Sequence, residues 1–143
     1  MLMKRPAPKQ ISPESIDRVL RFLPIFEQKG YKFSELCCPE PHDNGTLVLP
    51  FYEYSRDVND FISTLYREGF IIPFNWPIWE YGRKLYDKPQ LLKRAKLETL
   101  QKLLTAHIRQ DRFCEGHLAC ILENGHISAI LHRLEEIRMN MKN

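Results

Sequence analysis

Two runs of apolar residues in the C-terminal half constrain the fold most, because their spacing is typical of helices. The runs lie at about 95–112 and about 127–138. Leucine or isoleucine recurs every three or four positions: Leu97, Leu100, Leu103, Leu104 and Ile108, then Ile127, Ile130, Leu131, Leu134 and Ile137. This period indicates amphipathic helices with one face buried. We therefore expect a mainly α-helical domain.

Capping residues mark further helices along the chain. Ser12 before Pro13 favours a helix start, and Pro24 is expected to kink or shorten that helix. Ser55 is suited to cap a helix over about 56–68. A further helix starts near 115 and should stop at Asn124-Gly125.

The segment 31–54 is less regular and rich in turn residues. Its β-branched and aromatic residues from Thr46 to Tyr54 allow one short strand or β-hairpin, which Pro50 limits to a sheet edge. We predict a compact bundle of about five to six helices with that one β-element. Residues 1–11 are predicted to be a flexible basic arm, and 12–143 a single helical domain.

Length and composition narrow the class of protein. A chain of 143 residues, 43% of them hydrophobic, fits one globular domain. No apolar run approaches the roughly 20 residues that span a bilayer, and MLMKRPAPKQ lacks the apolar core of a signal peptide. We expect a cytoplasmic protein with no membrane contact. The four cysteines form no CxxC pair, so they are expected to be reduced thiols.

Ionisable residues concentrate in the segment 105–118, where two helices are predicted to meet. A helical wheel places His107 and Asp111 inside the leucine stripe, four residues apart and therefore on neighbouring turns. Arg109 falls on the far side of that helix. The candidate functional cluster comprises His107, Arg109, Asp111, Arg112, Glu115 and His117.

This cluster has two interpretations. In the first, Asp111 caps or clamps the helix junction as a structural polar joint, because a buried carboxylate needs hydrogen-bond partners. In the second, the cluster is a site, with His107 as a base beside Asp111 and an arginine holding an anion. Histidines and carboxylates can also ligate metals, but the spacing matches no established motif, so we predict no metal or other cofactor.

Two further features could contact a ligand. Trp76 and Trp79 could stack on a ring, although residues of this size more often anchor a core. The segment 83–102 carries seven basic residues against two acidic ones in a chain of net charge +3. Such a surface can bind phosphates, or it can be an ordinary solvated face. The candidate anion-binding residues are Arg83, Lys84, Lys93, Arg94 and Lys96.

The C-terminal half resembles a bacterial and archaeal family of small domains of unknown function. The resemblance lies in FNWPIW at 74–79, LLTAHIRQDRFCEGHL at 103–118 and Gly125-His-Ile with the following Ile130-Leu131 and Arg133-Leu134. It covers about 74–134, and the N-terminal half is only loosely similar. The resemblance implies a single cytoplasmic domain and carries over no activity, substrate or catalytic residue.

The sequence favours a non-enzymatic binding or regulatory module with a protein or nucleic-acid partner, because it contains no phosphate loop, catalytic triad or full metal motif. The alternative is a hydrolase or nucleotide-processing enzyme, with or without a metal, centred on His107, Asp111, Glu115 and His117. A third possibility is a structural partner in a larger assembly or self-association, with tyrosines forming the interface: Tyr52, Tyr54, Tyr81 and Tyr86.

Overall fold

A computed structural model describes residues 10–141. The N-terminal part contains α1 (Pro13–Leu20), the one-turn helix α2 (Leu23–Phe26), strands β1 (Ser34–Cys37) and β2 (Phe51–Tyr54), and α3 (Arg56–Arg67). The C-terminal part contains a 3₁₀ turn (Trp76–Ile78), α4 (Tyr81–Asp87), the one-turn helix α5 (Pro89–Leu92), α6 (Leu97–Asp111), α7 (His117–Glu123) and α8 (His126–Met139). The predicted fold class, a mainly helical domain with one short hairpin, is confirmed.

Local capping chemistry sets the helix boundaries. The Ser12 hydroxyl accepts a hydrogen bond from the Ser15 amide at 3.1 Å, and Ser55 accepts one from the Val58 amide at 3.2 Å. Each bond satisfies an amide that the first helical turn leaves without a partner. Pro24 lies in the first turn of α2, which is separated from α1 by two residues, so the predicted shortening of the first helix is confirmed.

The two strands form an antiparallel hairpin that lies against the helices. Ser34 pairs with Tyr54 and Cys37 with Phe51, and Pro50 directly precedes β2. The predicted β-element in 31–54 is thus confirmed as a hairpin. Its final residue, Tyr54, is half-buried and packs against the hydrophobic core.

Helix α8 lies at the centre of the packing, since it contacts α1, α2, α5, α6 and α7. The two apolar stripes predicted for α6 and α8 are largely buried in one core. The core begins at Ile11, and residues 1–9 of the predicted basic arm lie outside the described residues. Among the helices within 10–141, none combines the length and apolarity needed to cross a membrane.

Candidate functional site

Asp111 ends α6 and holds the start of α7. Its Oδ1 atom accepts hydrogen bonds from the Tyr54 hydroxyl at 2.8 Å and from the Leu118 amide at 2.9 Å. The same hydroxyl accepts a bond from the Ala119 amide at 3.3 Å. Two residues from distant segments therefore satisfy the first free amides of α7, the role of a helix cap. Burial and the bond to Asp111 raise the pKa of Tyr54, so this hydroxyl stays protonated.

A second set of contacts fixes the hairpin against the same turn. Glu115 accepts a hydrogen bond through Oε1 from the Tyr52 amide at 3.1 Å. Gly116 precedes α7 with φ of +85°, and a Cβ atom there would lie 2.8 Å from the Tyr52 ring. Both features bring the hairpin and the α6–α7 turn into close contact. We call these residues the polar joint: Tyr52, Tyr54, Asp111, Glu115 and Gly116.

Three imidazoles, from α6 and the first residues of α7 and α8, form a continuous row. His107 Nδ1 lies 2.9 Å from His117 Nε2, and His107 Nε2 lies 3.1 Å from His126 Nε2. The ring planes of His107 and His117 are inclined by 28°, and those of His107 and His126 by 83°. Both nitrogens of the central ring are thus engaged. We call His107, His117 and His126 the histidine array.

Burial keeps the array uncharged at neutral pH. Loss of hydration, with smaller contributions from His126 and His117, lowers the pKa of His107 to about 3. The same causes, burial and then His117, lower the pKa of His126 to about 4. Burial also lowers the pKa of His117, against an opposing effect of the nearby Asp111 carboxylate. Desolvation disfavours the charged imidazolium, whereas each neutral ring can both donate and accept a hydrogen bond.

An open cleft of about 680 Å³ lies over two members of the array. One wall comes from the 3₁₀ turn and α4, and the other from α6, α7 and the turn between them. The lining residues are Trp76, Pro77, Trp79, Gly82, Arg83, Tyr86, Asp87, Leu103, Ala106, His107, Gln110, Phe113, Cys114, His117, Cys120 and Ile121. The cleft is therefore mainly apolar, with a few polar groups and two neutral imidazoles.

Aromatic rings form much of the cleft wall. The rings of Trp76 and Phe113 lie 6.0 Å apart, and the Phe113 side chain is largely exposed. Trp79 packs edge to face on Phe74 and against the hydrophobic core. Gly82 permits this arrangement, since a Cβ atom there would lie 2.9 Å from the Trp79 ring. The two tryptophans thus lie beside the α6–α7 histidines, an adjacency absent from their sequence spacing.

Residues 11–140 match the model of a family of unknown function, DUF6508. The chain belongs to this family. Neither a curated protein nor a solved structure matches the chain. The match confirms the resemblance to a family of unknown function, and it extends over the N-terminal half, where the motifs were only loosely similar.

The structure of this DUF6508 domain divides the predicted cluster. His107 and His117 line the cleft, whereas Asp111 and Glu115 belong to the polar joint. The wheel placed His107 and Asp111 on neighbouring turns, but the ring nitrogens of His107 contact two other histidines. The position of Asp111 agrees with the structural interpretation of that residue.

The arginines of the cluster lie away from the cleft lining. The Arg109 guanidinium lies over the Tyr66 ring at 5.9 Å from its centre. Arg112 is exposed, and the described part of the chain shows no ion pair between it and Glu115. Neither arginine is placed to hold an anion beside His107 in the cleft.

Of the predicted anion-binding residues, only Arg83 lines the cleft. It lies 3.8 Å from Asp87, which lines the cleft as well. Lys84, Lys93, Arg94 and Lys96 are exposed on α4 and around the turn between α5 and α6. Nucleic-acid binding by this surface stays a prediction.

The sequence did not reveal the role of one cleft residue, Tyr86, or of one array member, His126. His126 follows the Asn124-Gly125 helix stop, and from the sequence it was named only within the Gly125-His-Ile motif of the family resemblance. Tyr86 was considered only as an interface residue, although its ring lies 4.8 Å from that of His126. The available signal was the recurrence of histidine at 107, 117 and 126, each near a helix end.

The array is not arranged as a metal centre. Within residues 10–141, no group of three or more histidine, cysteine, aspartate or glutamate side chains is placed to hold a metal ion. The reason is geometric, since His107 contacts His117 through Nδ1 and His126 through Nε2, on opposite edges of its ring. Three imidazoles so arranged do not converge on one ion.

Proposed function

We propose that this domain is a small-molecule binding module whose ligand has a planar ring. The observation that carries the proposal is the cleft of about 680 Å³, walled by Trp76, Trp79, Tyr86 and Phe113. This volume lies within the range of about 300–1,000 Å³ common for small-molecule sites. Aromatic walls bind planar rings by stacking and by removing apolar area from water.

Polar groups in the cleft would orient such a ligand. His117 and Gln110 can donate or accept hydrogen bonds, and Arg83 at the opposite wall can attract a negatively charged substituent. The apolar surface would then supply affinity, whereas these few groups select among ring compounds. This division of roles is usual for cofactor and small-ligand sites.

The geometry supports a binding module over the predicted hydrolase. Asp111 and Glu115, which that hypothesis requires at the centre, hold the amides of Leu118 and Tyr52. Cys114 and Cys120 line the cleft, but neither thiol shows a hydrogen bond to His117 in the described residues. An activated nucleophile normally has a base within such reach.

Tryptophan emission provides a direct test, because both tryptophans of the chain line the cleft. Adenosine, indole-3-acetate and 4-nitrophenol would be titrated separately, with calorimetry to confirm binding. We expect at least one ring compound to change the emission saturably. Phe113→Ala should weaken that binding about tenfold, the usual effect of losing one stacking ring.

Leu49→Ala is the matched control, since both residues are 82% exposed and Leu49 lies outside the cleft lining. It should leave the dissociation constant unchanged. Equal effects of the two substitutions, or no binding of any ring compound at millimolar concentration, would contradict the proposed function.

A further inference from the structure

The histidine array connects two separate openings at the protein surface. His117 lines the cleft, whereas His126 lines a groove of about 340 Å³ beside α5 and the α7–α8 turn. His107, which also lines the cleft, lies between the two outer rings, and His107 and His126 are each 8% exposed. The array thus runs from one solvent-facing depression, through a buried ring, to another.

Each outer ring has one nitrogen left for solvent. His117 and His126 both contact His107 through Nε2, and the described residues show no hydrogen bond to either Nδ1 atom. Every buried side-chain nitrogen and oxygen of the described residues has a hydrogen-bond partner. The Nδ1 atoms of His117 and His126 have no such partner, so neither atom can be fully buried. Both therefore reach solvent, although neither residue as a whole is exposed.

Hydrogen bonding permits only two proton patterns in the neutral array. A neutral imidazole carries a single N–H, and each contact needs one donor and one acceptor. In the first pattern, His126 Nε2 donates to His107, whose Nδ1 donates to His117, so His117 carries its proton on Nδ1. In the second pattern, every donor and acceptor is reversed, and His126 carries the Nδ1 proton.

We propose that the histidine array is a proton relay, and that His117 is the acid–base group at the cleft end of it. In the second pattern, the free electron pair of His117 Nδ1 faces solvent and can accept a proton from a bound ligand. In the first pattern, the Nδ1–H of His117 can donate one. The two patterns therefore give the base form and the acid form of the same residue.

The transfer balances without leaving charge on the array. A proton from the ligand binds His117 Nδ1, and the proton on His117 Nε2 moves to His107 Nδ1. The proton on His107 Nε2 moves to His126 Nε2, and the Nδ1 proton of His126 passes to water. One N–H bond forms and one breaks on each ring, which converts the second pattern into the first.

The surroundings favour this concerted transfer over a charged intermediate. Burial lowers the pKa of all three rings, most strongly for the central His107, so a lasting imidazolium there is costly. The Tyr86 ring covers His126 from α4, and the Asp111 carboxylate is the charged group that acts on His117. No other charged side chain enters the causes of these shifts among the described residues.

The chemistry of the relay also narrows the ligand class. A ring compound with an acidic O–H or N–H group, or with a proton beside a carbonyl, could exchange that proton with His117. This ligand class rests on the proposed function, whereas the relay itself is a property of the protein without ligand.

Long-range proton–nitrogen NMR of the labelled full chain tests the relay directly, because nitrogen shifts distinguish the two neutral tautomers. In each of the two patterns, His117 and His107 carry their protons on the same type of nitrogen and His126 carries its proton on the other type. At neutral pH, we therefore expect equal tautomer populations for His117 and His107 and the reverse populations for His126. Exchange between the two patterns should give averaged shifts at all three rings. Any other combination, a charged ring, or a single frozen pattern would overturn the proposal.

His126→Phe tests whether the two ends are coupled. A phenyl ring offers no partner to His107 Nε2, and an unpaired buried N–H is costly, so His107 should keep its proton on Nδ1. His117 should then lose its averaged shifts and become fixed as the Nδ1–H tautomer. His132→Phe, which replaces an exposed histidine outside the array, should leave the His117 shifts averaged.

Unchanged His117 shifts in a folded His126→Phe variant would also overturn the relay, and the wild-type spectra decide the matter if the variant does not fold. Failure of ring compounds to bind would contradict the proposed function alone. If the NMR spectra show both tautomer patterns but no ring compound binds, the relay is supported and the inferred ligand class is wrong.

Discussion

At the scale of single residues, Gly116 occupies a position that no residue with a side chain fits well. Its φ of +85° favours glycine, and the Tyr52 ring fills the space that a Cβ atom would need. Gly125 has almost the same conformation before α8, with φ of +87°, but a Cβ atom there would meet nothing within 4 Å. A substitution at Gly125 therefore tests backbone strain alone, whereas the same substitution at Gly116 adds a steric contact with Tyr52.

We predict that Gly116→Ala lowers the free energy of unfolding more than Gly125→Ala. Both variants should lose about 1–2 kcal/mol from the left-handed backbone. Gly116→Ala should lose roughly 1 kcal/mol more, because the Tyr52 ring must move away from the new methyl group. Urea unfolding of the two variants measures the difference, and equal losses would show that the hairpin yields without cost.

At the scale of elements, the polar joint binds three parts of the chain with few groups. Asp111 at the end of α6 holds the first turn of α7, and Tyr54 at the end of β2 completes the same cap. The carboxylate thus replaces the side-chain cap that Gly116 cannot provide. The angle between α6 and α7, and with it one wall of the cleft, depends on this joint.

We predict that Asp111→Ala destabilises the protein by about 2 kcal/mol, since it leaves the Leu118 amide and the Tyr54 hydroxyl without their acceptor. Asp60→Ala is the control, because within residues 10–141 the Asp60 carboxylate makes a single 4.0 Å contact, with the exposed Arg56, and the Thr64 bond to the Asp60 backbone carbonyl is unaffected by the change. That change should cost less than about 1 kcal/mol. Chemical unfolding would compare them, and similar losses would refute a capping role for Asp111.

The ends of the helices were easier to predict from the sequence than the contacts between the helices. Ser12, Ser55 and the Asn124-Gly125 stop determine helix ends through neighbouring residues, so local sequence carried enough information. The helical wheel correctly directed His107 inward. It could not reveal that His117 and His126 cover that ring, because those contacts depend on how α7 and α8 fold back on α6.

At the scale of the whole molecule, the histidine array makes stability depend on pH. The pKa of His107 is about 3 and that of His126 about 4 in the folded protein, whereas the ordinary value is 6.5. Between these values the unfolded chain binds protons that the folded chain does not. The free energy of unfolding must therefore fall as the pH falls below about 6.5.

We predict a loss of about 1.2 kcal/mol from each of these two histidines as the pH falls from about 6 to about 5. Unfolding by urea across this range measures the slope. His126→Phe should reduce the slope by about the contribution of one histidine, and His132→Phe should retain it. A His126→Phe slope equal to that of the wild type would contradict burial of a neutral His126.

Within the segment 105–118, some residues form the polar joint and others line the cleft, and this separation affects how such a domain can evolve. The polar joint and the lining of the cleft share no side chain, although their residues alternate along the same turn of sequence. Substitutions at cleft positions such as Gln110 or Phe113, both exposed, leave the cap of α7 intact. Selection can therefore alter what the cleft recognises while the architecture that supports it is inherited unchanged.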